Sequence, residues 1–247
     1  MKSFLNVSAY KFVNIRDCAS LRESIRSQAT ELGLKGTVLL AEEGINLFVA
    51  GPTHAVRAFM DRLRSDARLA DLDAKESWSG SVPFHKLLVK VKREIIRMNG
   101  PGVHPELGRA PSVDPATLQR WLDARHDDEG RPVVMLDTRN AFEVGHGAFE
   151  NAIDWHIAKF SDFPRALSEH REELRGKTVV SYCTGGIRCE KAAIHMRNAG
   201  VDHVYQLEGG ILRYFELTAA RHFQGTCFVF DEREALGHAL DERHSAA

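Results

Sequence analysis

The run Cys183-Thr184-Gly185-Gly186-Ile187-Arg188 constrains this chain more than any other feature. It follows the apolar, β-prone stretch Val179-Val180-Ser181-Tyr182 and precedes a helix-compatible stretch with apolar positions Ala192, Ala193 and Met196. Strand, tight glycine loop and helix in that order place a side chain at the carboxyl end of a sheet. Successive N–H groups in such a loop converge on an anion, and the helix N-terminus adds partial positive charge. A thiol held there loses its proton readily and becomes a nucleophile at neutral pH. Arg188 closes the loop with a planar cation suited to oxyanions. The competing reading is an inert, buried cysteine beside a glycine turn. That reading has to treat the strand, the two glycines and the arginine at fixed offset as coincidence.

The length of 247 residues accommodates one large domain or two ordinary ones. A formal net charge of -1 argues against an all-over basic coat for nucleic acid, while leaving room for a local patch. No apolar run approaches the roughly 20 residues of a membrane span, and the first residues, Met1 to Asn6, lack the pattern of a secretory signal. Cys18, Cys183, Cys189 and Cys227 are scattered without a CxxC pair, so neither a disulfide framework nor a zinc site is expected. Reduced thiols and a cytoplasmic location are the expectation.

Along the first hundred residues strand and helix signals alternate. Tyr10 to Val13 starts a strand, and Ser20-Leu21-Arg22-Glu23 has the capping-box pattern. Leu21, Ile25, Ala29 and Leu32 follow at helical spacing up to Gly33. Thr37 to Leu40 and Ile45 to Val49 read as strands, Thr53 can cap a helix carrying Val56, Phe59, Met60 and Leu63, and Leu87 to Lys92 reads as a further strand. The order βαββαβ predicts a ferredoxin-like domain over residues 1–98. Asn99-Gly100-Pro101-Gly102, Pro105, Gly108 and Pro111 mark a linker over 99–111. Beyond it Asp114-Pro115 opens a helix, and strands at 133–136, 179–182 and 201–205 alternate with helices, predicting a parallel sheet covered on both faces over 112–225. Residues 226–247 read as a short, charged C-terminal extension.

Four residues separate Cys183 from Arg188, and this spacing resembles the active-site loop of the rhodanese family, where cysteine phosphatases place five. Leu136-Asp137-Thr138-Arg139, Phe142-Glu143-Val144-Gly145-His146 and Leu207-Glu208-Gly209-Gly210-Ile211 resemble further rhodanese segments in order. After the Gly-His pair the usual apolar-Pro-Gly-Ala is replaced by Gly147 to Ile153. Over residues 4–234 the combination is narrower. Glu42 to Asn46, Pro83-Phe84, the Cys183 loop through Lys191, and Cys227-Phe228-Val229-Phe230-Asp231-Glu232-Arg233 resemble the oxygen-dependent tRNA uridine hydroxylases. The resemblance implies a rhodanese-like second domain and hydroxylation of the tRNA wobble uridine at carbon 5. It implies tRNA as partner and molecular oxygen as co-substrate.

Cys183 is the expected catalytic residue. As a sulfurtransferase nucleophile it would carry a persulfide; the same thiolate can instead attack carbon 6 of uridine. Arg188 either fixes the loop, meets an anion or forms a structural salt bridge. Thr184, Gly185, Gly186 and Ile187 form the loop, Asp137 and Arg139 are expected to support it as an ion pair, and Cys227 is read as a packing residue. Cys189 is either a second redox thiol or, the favoured reading because adjacent helix positions point in different directions, a packing residue. His146, His156, His195 and His203 have no ligand spacing, so no metal is expected. Oxygen chemistry normally needs a redox cofactor, yet no fingerprint of one is present, and the electron donor, a small-molecule reductant among the options, is left open. Lys86, Lys90, Lys92, Arg93 and Arg97 are candidates for RNA phosphates, the alternative being an edge strand protected by lysines. Three functions stand: tRNA hydroxylation, sulfane-sulfur transfer from a sulfur donor, and non-catalytic RNA binding.

Overall fold

Ile45, Leu47 and Val49 alternate along one face of a single extended segment, and this segment becomes the middle of the first sheet. The computed structural model describes residues 4–100 and 102–241. The chain forms two units, the first reaching to Ile96 and including Phe230–Arg233, the second formed by Arg97–Val229 and resuming at Glu234.

In the first unit the elements are β1 (Phe4–Phe12), α1 (Cys18–Glu31), β2 (Lys35–Ala41), β3 (Gly44–Pro52), α2 (Thr53–Arg64), β4 (Ala74–Ser79) and β5 (Leu87–Val91). The sheet order is β4-β1-β3-β2-β5, antiparallel throughout except for the parallel pair β2–β5. Leu5, Val7 and Ala9 of β1 share the core with Ile45, Leu47 and Val49 of β3. Phe59, Met60 and Leu63 of α2 and Ile25 and Ala29 of α1 complete it. Gly44 is required where β3 starts opposite Phe12: its φ is +149°, and a Cβ there would lie 2.1 Å from the Lys11 carbonyl oxygen.

The ferredoxin-like architecture is present, with two corrections to the expected elements. The strand that closes the βαββαβ motif is Ala74–Ser79, while Leu87–Val91 is a fifth strand added to the β2 edge. Edge strand β4 pairs with β1, alone among the described strands, and carries Lys75, Glu76 and two serines, so hydrophobic alternation does not mark it. The first helix begins at Cys18, so Ser20 lies inside its first turn, donating to the Asp17 carbonyl, and Glu23 pairs with Arg22 and Arg26.

The second unit contains β6 (Ser112–Val113), α3 (Pro115–Ala124), β7 (Val133–Asp137), α4 (Ala141–Val144), β8 (Gly147–Phe149) and α5 (Phe163–His170). It continues with β9 (Thr178–Tyr182), α6 (Ile187–Asn198), β10 (Val204–Leu207), α7 (Gly210–Thr218), β11 (Phe223–Gly225), β12 (Cys227–Phe228) and β13 (Ala235–Leu236). A parallel sheet in the order β6-β10-β9-β7 forms its centre. All five residues of β9 are buried, as a strand covered on both faces requires. Asp114 caps α3 by accepting from the N–H groups of Ala116 and Thr117, both at 3.0 Å, with Pro115 in the first turn. The third expected strand lies at Val204–Leu207, displaced toward the C-terminus from 201–205.

Pro101 of the expected linker and residues 242–247 lie outside the described residues. The stretch read as a C-terminal extension is built into the fold. Cys227, Val229 and Leu236 belong to the second core. Phe230–Arg233 belongs to the first unit, where Arg233 donates to Ser77 at 2.8 Å and is held by Asp231. Its charged residues concealed this, because Ser77, which Arg233 bonds, is 156 residues away in sequence.

Candidate active site

Cys183 follows the last residue of β9, and the first turn of α7 determines how the chain leaves the sheet there. The carbonyl of Cys183 accepts from the Ile211 N–H at 3.0 Å and that of Thr184 from Leu212 at 3.1 Å. Gly210 makes this approach possible. Its φ is +66°, and a Cβ would lie 2.5 Å from the Cys183 oxygen and 2.7 Å from the Gly186 nitrogen. With the carbonyls occupied by α7, N–H groups of the loop are free to face the thiol: Gly186, itself at φ 99°, donates to the Cys183 sulfur at 3.2 Å.

Cys183 is fully buried. Burial alone would raise its pKa, but the Cys189 thiol, the Arg188 charge and the N–H groups of Arg188 and Gly186 together outweigh it, lowering the pKa from 9.0 to about 5. The position at the start of α6 acts in the same direction. The balance favours the thiolate over the thiol.

Arg188, for which three readings stood open, forms a buried ion pair. Its Nη1 and Nη2 meet the two carboxylate oxygens of Glu143 at 2.6 and 2.7 Å. Glu143 also accepts from the Asn140 N–H at 3.1 Å, tying α4 to the loop. Asp137 and Arg139 are paired at 2.6 Å, both fully buried. Arg139 further donates to the Gly147 carbonyl at 2.7 Å, and its guanidinium lies 5.6 Å from the Tyr182 ring centre. The pair therefore joins the end of β7 to β8. Thr184 donates to the Phe228 carbonyl at 3.3 Å. Phe228 in turn packs against Phe142 and His146.

Three of the four cysteines converge here. Cys189, expected to pack, lies 3.7 Å from the Thr138 hydroxyl; burial and the neighbouring Cys183 push its pKa well up. Cys227 is pushed up to about 12 by burial and interacts with Thr184 and Cys183. Cys18 lies in the first core, its thiol 3.1 Å from the Ile15 carbonyl. Among the described residues no three His, Cys, Asp or Glu side chains are grouped to hold a metal.

Lys86, Lys90, Lys92 and Arg93 are exposed in and around β5, at the edge of the first sheet. Leu87 and Val89 turn into the core, so Leu88 and Lys90 face outward. Arg97 lies past the unit boundary and donates to Asn99 at 3.3 Å.

Residues 4–95 match the UPF0176 acylphosphatase-like domain, and residues 118–216 match the rhodanese-like domain. A protein of Delftia acidovorans named tRNA uridine(34) hydroxylase is 64% identical over 240 residues, covering 97% of this chain and 91% of that one. A Bordetella avium protein of the same name is 62% identical, covering 96% and 98%. The chain belongs to the tRNA uridine(34) hydroxylase family. Among solved structures, a rhodanese-like domain from Anabaena sp. is 20% identical at a TM-score of 0.38, covering 47% of this chain and 80% of that one.

In this tRNA uridine(34) hydroxylase family member, the expected Asp137–Arg139 ion pair is present, and two contacts around Cys183 were not legible in the sequence. Glu143 stood in the quoted motif without a partner, and the positive charge of Arg188, five residues past Cys183, was the available clue to it. Cys189 was assigned to packing because neighbouring helix positions point in different directions. It is two residues into α6, where side chains tilt back toward the helix N-terminus and so toward Cys183.

Proposed function

We propose that this protein hydroxylates uridine 34 of tRNA at carbon 5 with molecular oxygen, using Cys183 as the nucleophile. The observation that carries the reading is the buried Cys183 sulfur accepting from the Gly186 N–H at 3.2 Å at the carboxyl end of β9, a donor that favours the thiolate. The names of relatives above 60% identity support the substrate. Carbon 6 of uracil is the electrophilic end of a conjugated carbonyl. Addition of the Cys183 sulfur there moves electron density to carbon 5, the atom that reacts with oxygen. Elimination of the thiolate then restores the ring. Uridine, O2, two electrons and two protons give 5-hydroxyuridine and water, so a reductant is required.

Each neighbour has a role in this scheme. Gly186 and Arg188 N–H groups stabilise the thiolate both before addition and after elimination. Glu143 fixes Arg188, and the Asp137–Arg139 pair holds the strand end. Because Cys183 is fully buried, entry of a base requires its cover to move. Lys86, Lys90, Lys92 and Arg93 serve as phosphate contacts on the first unit, and Arg97 on the second. No helix among the described residues is long and apolar enough to cross a membrane, and tRNA as substrate supports a cytoplasmic location.

The test is nucleoside mass spectrometry of individual tRNA species from cells lacking the protein, complemented with wild type or Cys183→Ser. Restoration of 5-hydroxyuridine by wild type alone supports the reading, and unchanged modification in every species overturns it. The six-membered loop also suits sulfane-sulfur transfer. A persulfide on Cys183 after thiosulfate treatment, absent in Cys183→Ser, would favour that reading.

A further inference from the structure

The proposed hydroxylation consumes two electrons whose source has not been assigned, and the site contains a second thiol that the scheme leaves idle. Cys189 is fully buried, and its sulfur lies 3.7 Å from the Thr138 hydroxyl, which itself donates at 2.9 Å to the carbonyl of Tyr182, the residue just before Cys183. Its N–H bonds the Gly186 carbonyl at 3.1 Å, fixing it in the first turn of α6, over the loop that carries Cys183. The pair is asymmetric: the Cys183 thiol is shifted toward the thiolate by the charge of Arg188 and the loop N–H groups, whereas burial holds the Cys189 thiol toward its protonated form. Cys227, the third thiol, donates to the Phe228 carbonyl at 3.7 Å, the carbonyl that Thr184 of the loop also bonds.

We infer that Cys189 is a second catalytic residue, which forms a disulfide with Cys183 in each cycle and thereby delivers the two electrons of hydroxylation. The inference rests on the hydroxylation proposed above. Oxygen added at carbon 5 of the Cys183-linked base gives a hydroperoxide, and elimination frees Cys183 as thiolate. Its sulfur attacks the distal peroxide oxygen. The O–O bond breaks, the carbon 5 oxyanion takes a proton, and Cys183 becomes a sulfenic acid. The Cys189 sulfur, giving up its proton, attacks the Cys183 sulfur; the S–S bond forms, the S–O bond breaks, and the hydroxyl leaves as water. The sum is uridine, O2 and two thiols going to 5-hydroxyuridine, water and a disulfide. An external dithiol then reduces the disulfide by exchange.

The test uses the full chain, reduced with dithiothreitol, freed of it, and mixed in air with tRNA lacking the modification. Wild type is expected to form no more than one 5-hydroxyuridine per chain and to yield a Cys183–Cys189 linked peptide in a non-reducing, alkylated digest. Added dithiothreitol restores repeated turnover. Cys189→Ser forms no linked peptide, and its Cys183 sulfenate is trapped by dimedone; Cys189→Ala repeats this if the serine variant melts early. Cys18→Ala, altered only in the first core, keeps wild-type turnover. Repeated turnover by wild type without dithiol, or a folded Cys189 variant matching wild type, overturns the inference.

Peroxide treatment without tRNA separates the two readings. If it links Cys183 to Cys189 but no condition yields 5-hydroxyuridine, the hydroxylation reading falls and the dithiol pair stands. If peroxide gives no link, the pair falls whatever the tRNA shows.

Discussion

Arg188 and Glu143, 45 residues apart in sequence, meet through two hydrogen bonds of 2.6 and 2.7 Å in a site from which water is largely excluded. The arginine that a sequence reader would offer to a substrate anion is thus directed at a carboxylate. Its effect on Cys183 comes through charge and a backbone N–H.

Removing the charge of Glu143 leaves a buried guanidinium uncompensated. Glu143→Gln should lower unfolding stability by about 3–5 kcal/mol, read from urea unfolding midpoints at constant slope. A change within about 0.5 kcal/mol, as at ordinary surface sites, would mean that the pair is open in solution.

The thiol of Cys183 titrates below its ordinary range, so the thiolate is present above about pH 5 and is lost as the pH falls through that value. Iodoacetamide labelling of Cys183, followed by peptide mass spectrometry, should be slow because the residue is buried but level between neutral and mildly acidic pH. A midpoint at the ordinary thiol value would contradict the nest of donors.

Gly210 has no room for a side chain against the Cys183 loop. Gly210→Ala should displace the loop, costing about 1–3 kcal/mol by overpacking alone, and should abolish hydroxylation even where the variant stays folded. Thermal melting and nucleoside analysis together check this; retained activity would show that the loop tolerates the shift.

Lys90 in the edge strand β5 and Lys92 just past its end are both exposed. Lys90→Glu with Lys92→Glu should weaken tRNA binding and flatten its salt dependence, by a slope of roughly 0.7–0.9 for each lost phosphate contact, without lowering the melting temperature. Fluorescence anisotropy across a salt series measures both. An unchanged slope would leave these lysines as guards of a sheet edge.

Local order determined what could be read in advance. The Cys183 loop was legible because strand, glycines and helix start are neighbours in the chain, as was the Asp114-Pro115 cap of α3. The core-facing alternation of β3 and the helical spacing in α2 likewise marked the first core. Strand β4 escaped, since an edge position lets polar residues occupy both of its faces, and Leu87–Val91 stood in for it because its apolar run is stronger.

The sequence by itself determined that a thiol would sit at a helix N-terminus in a nest of N–H groups, because backbone geometry over six residues suffices for that. Only the tertiary structure decided what surrounds the thiol. Glu143 comes from α4, Gly210 from α7, and Cys227 from a segment once read as a tail. Such contacts are set by how a parallel sheet brings the carboxyl ends of distant strands together, and a charge or a thiol carries no local mark of the partner that packing will bring to it.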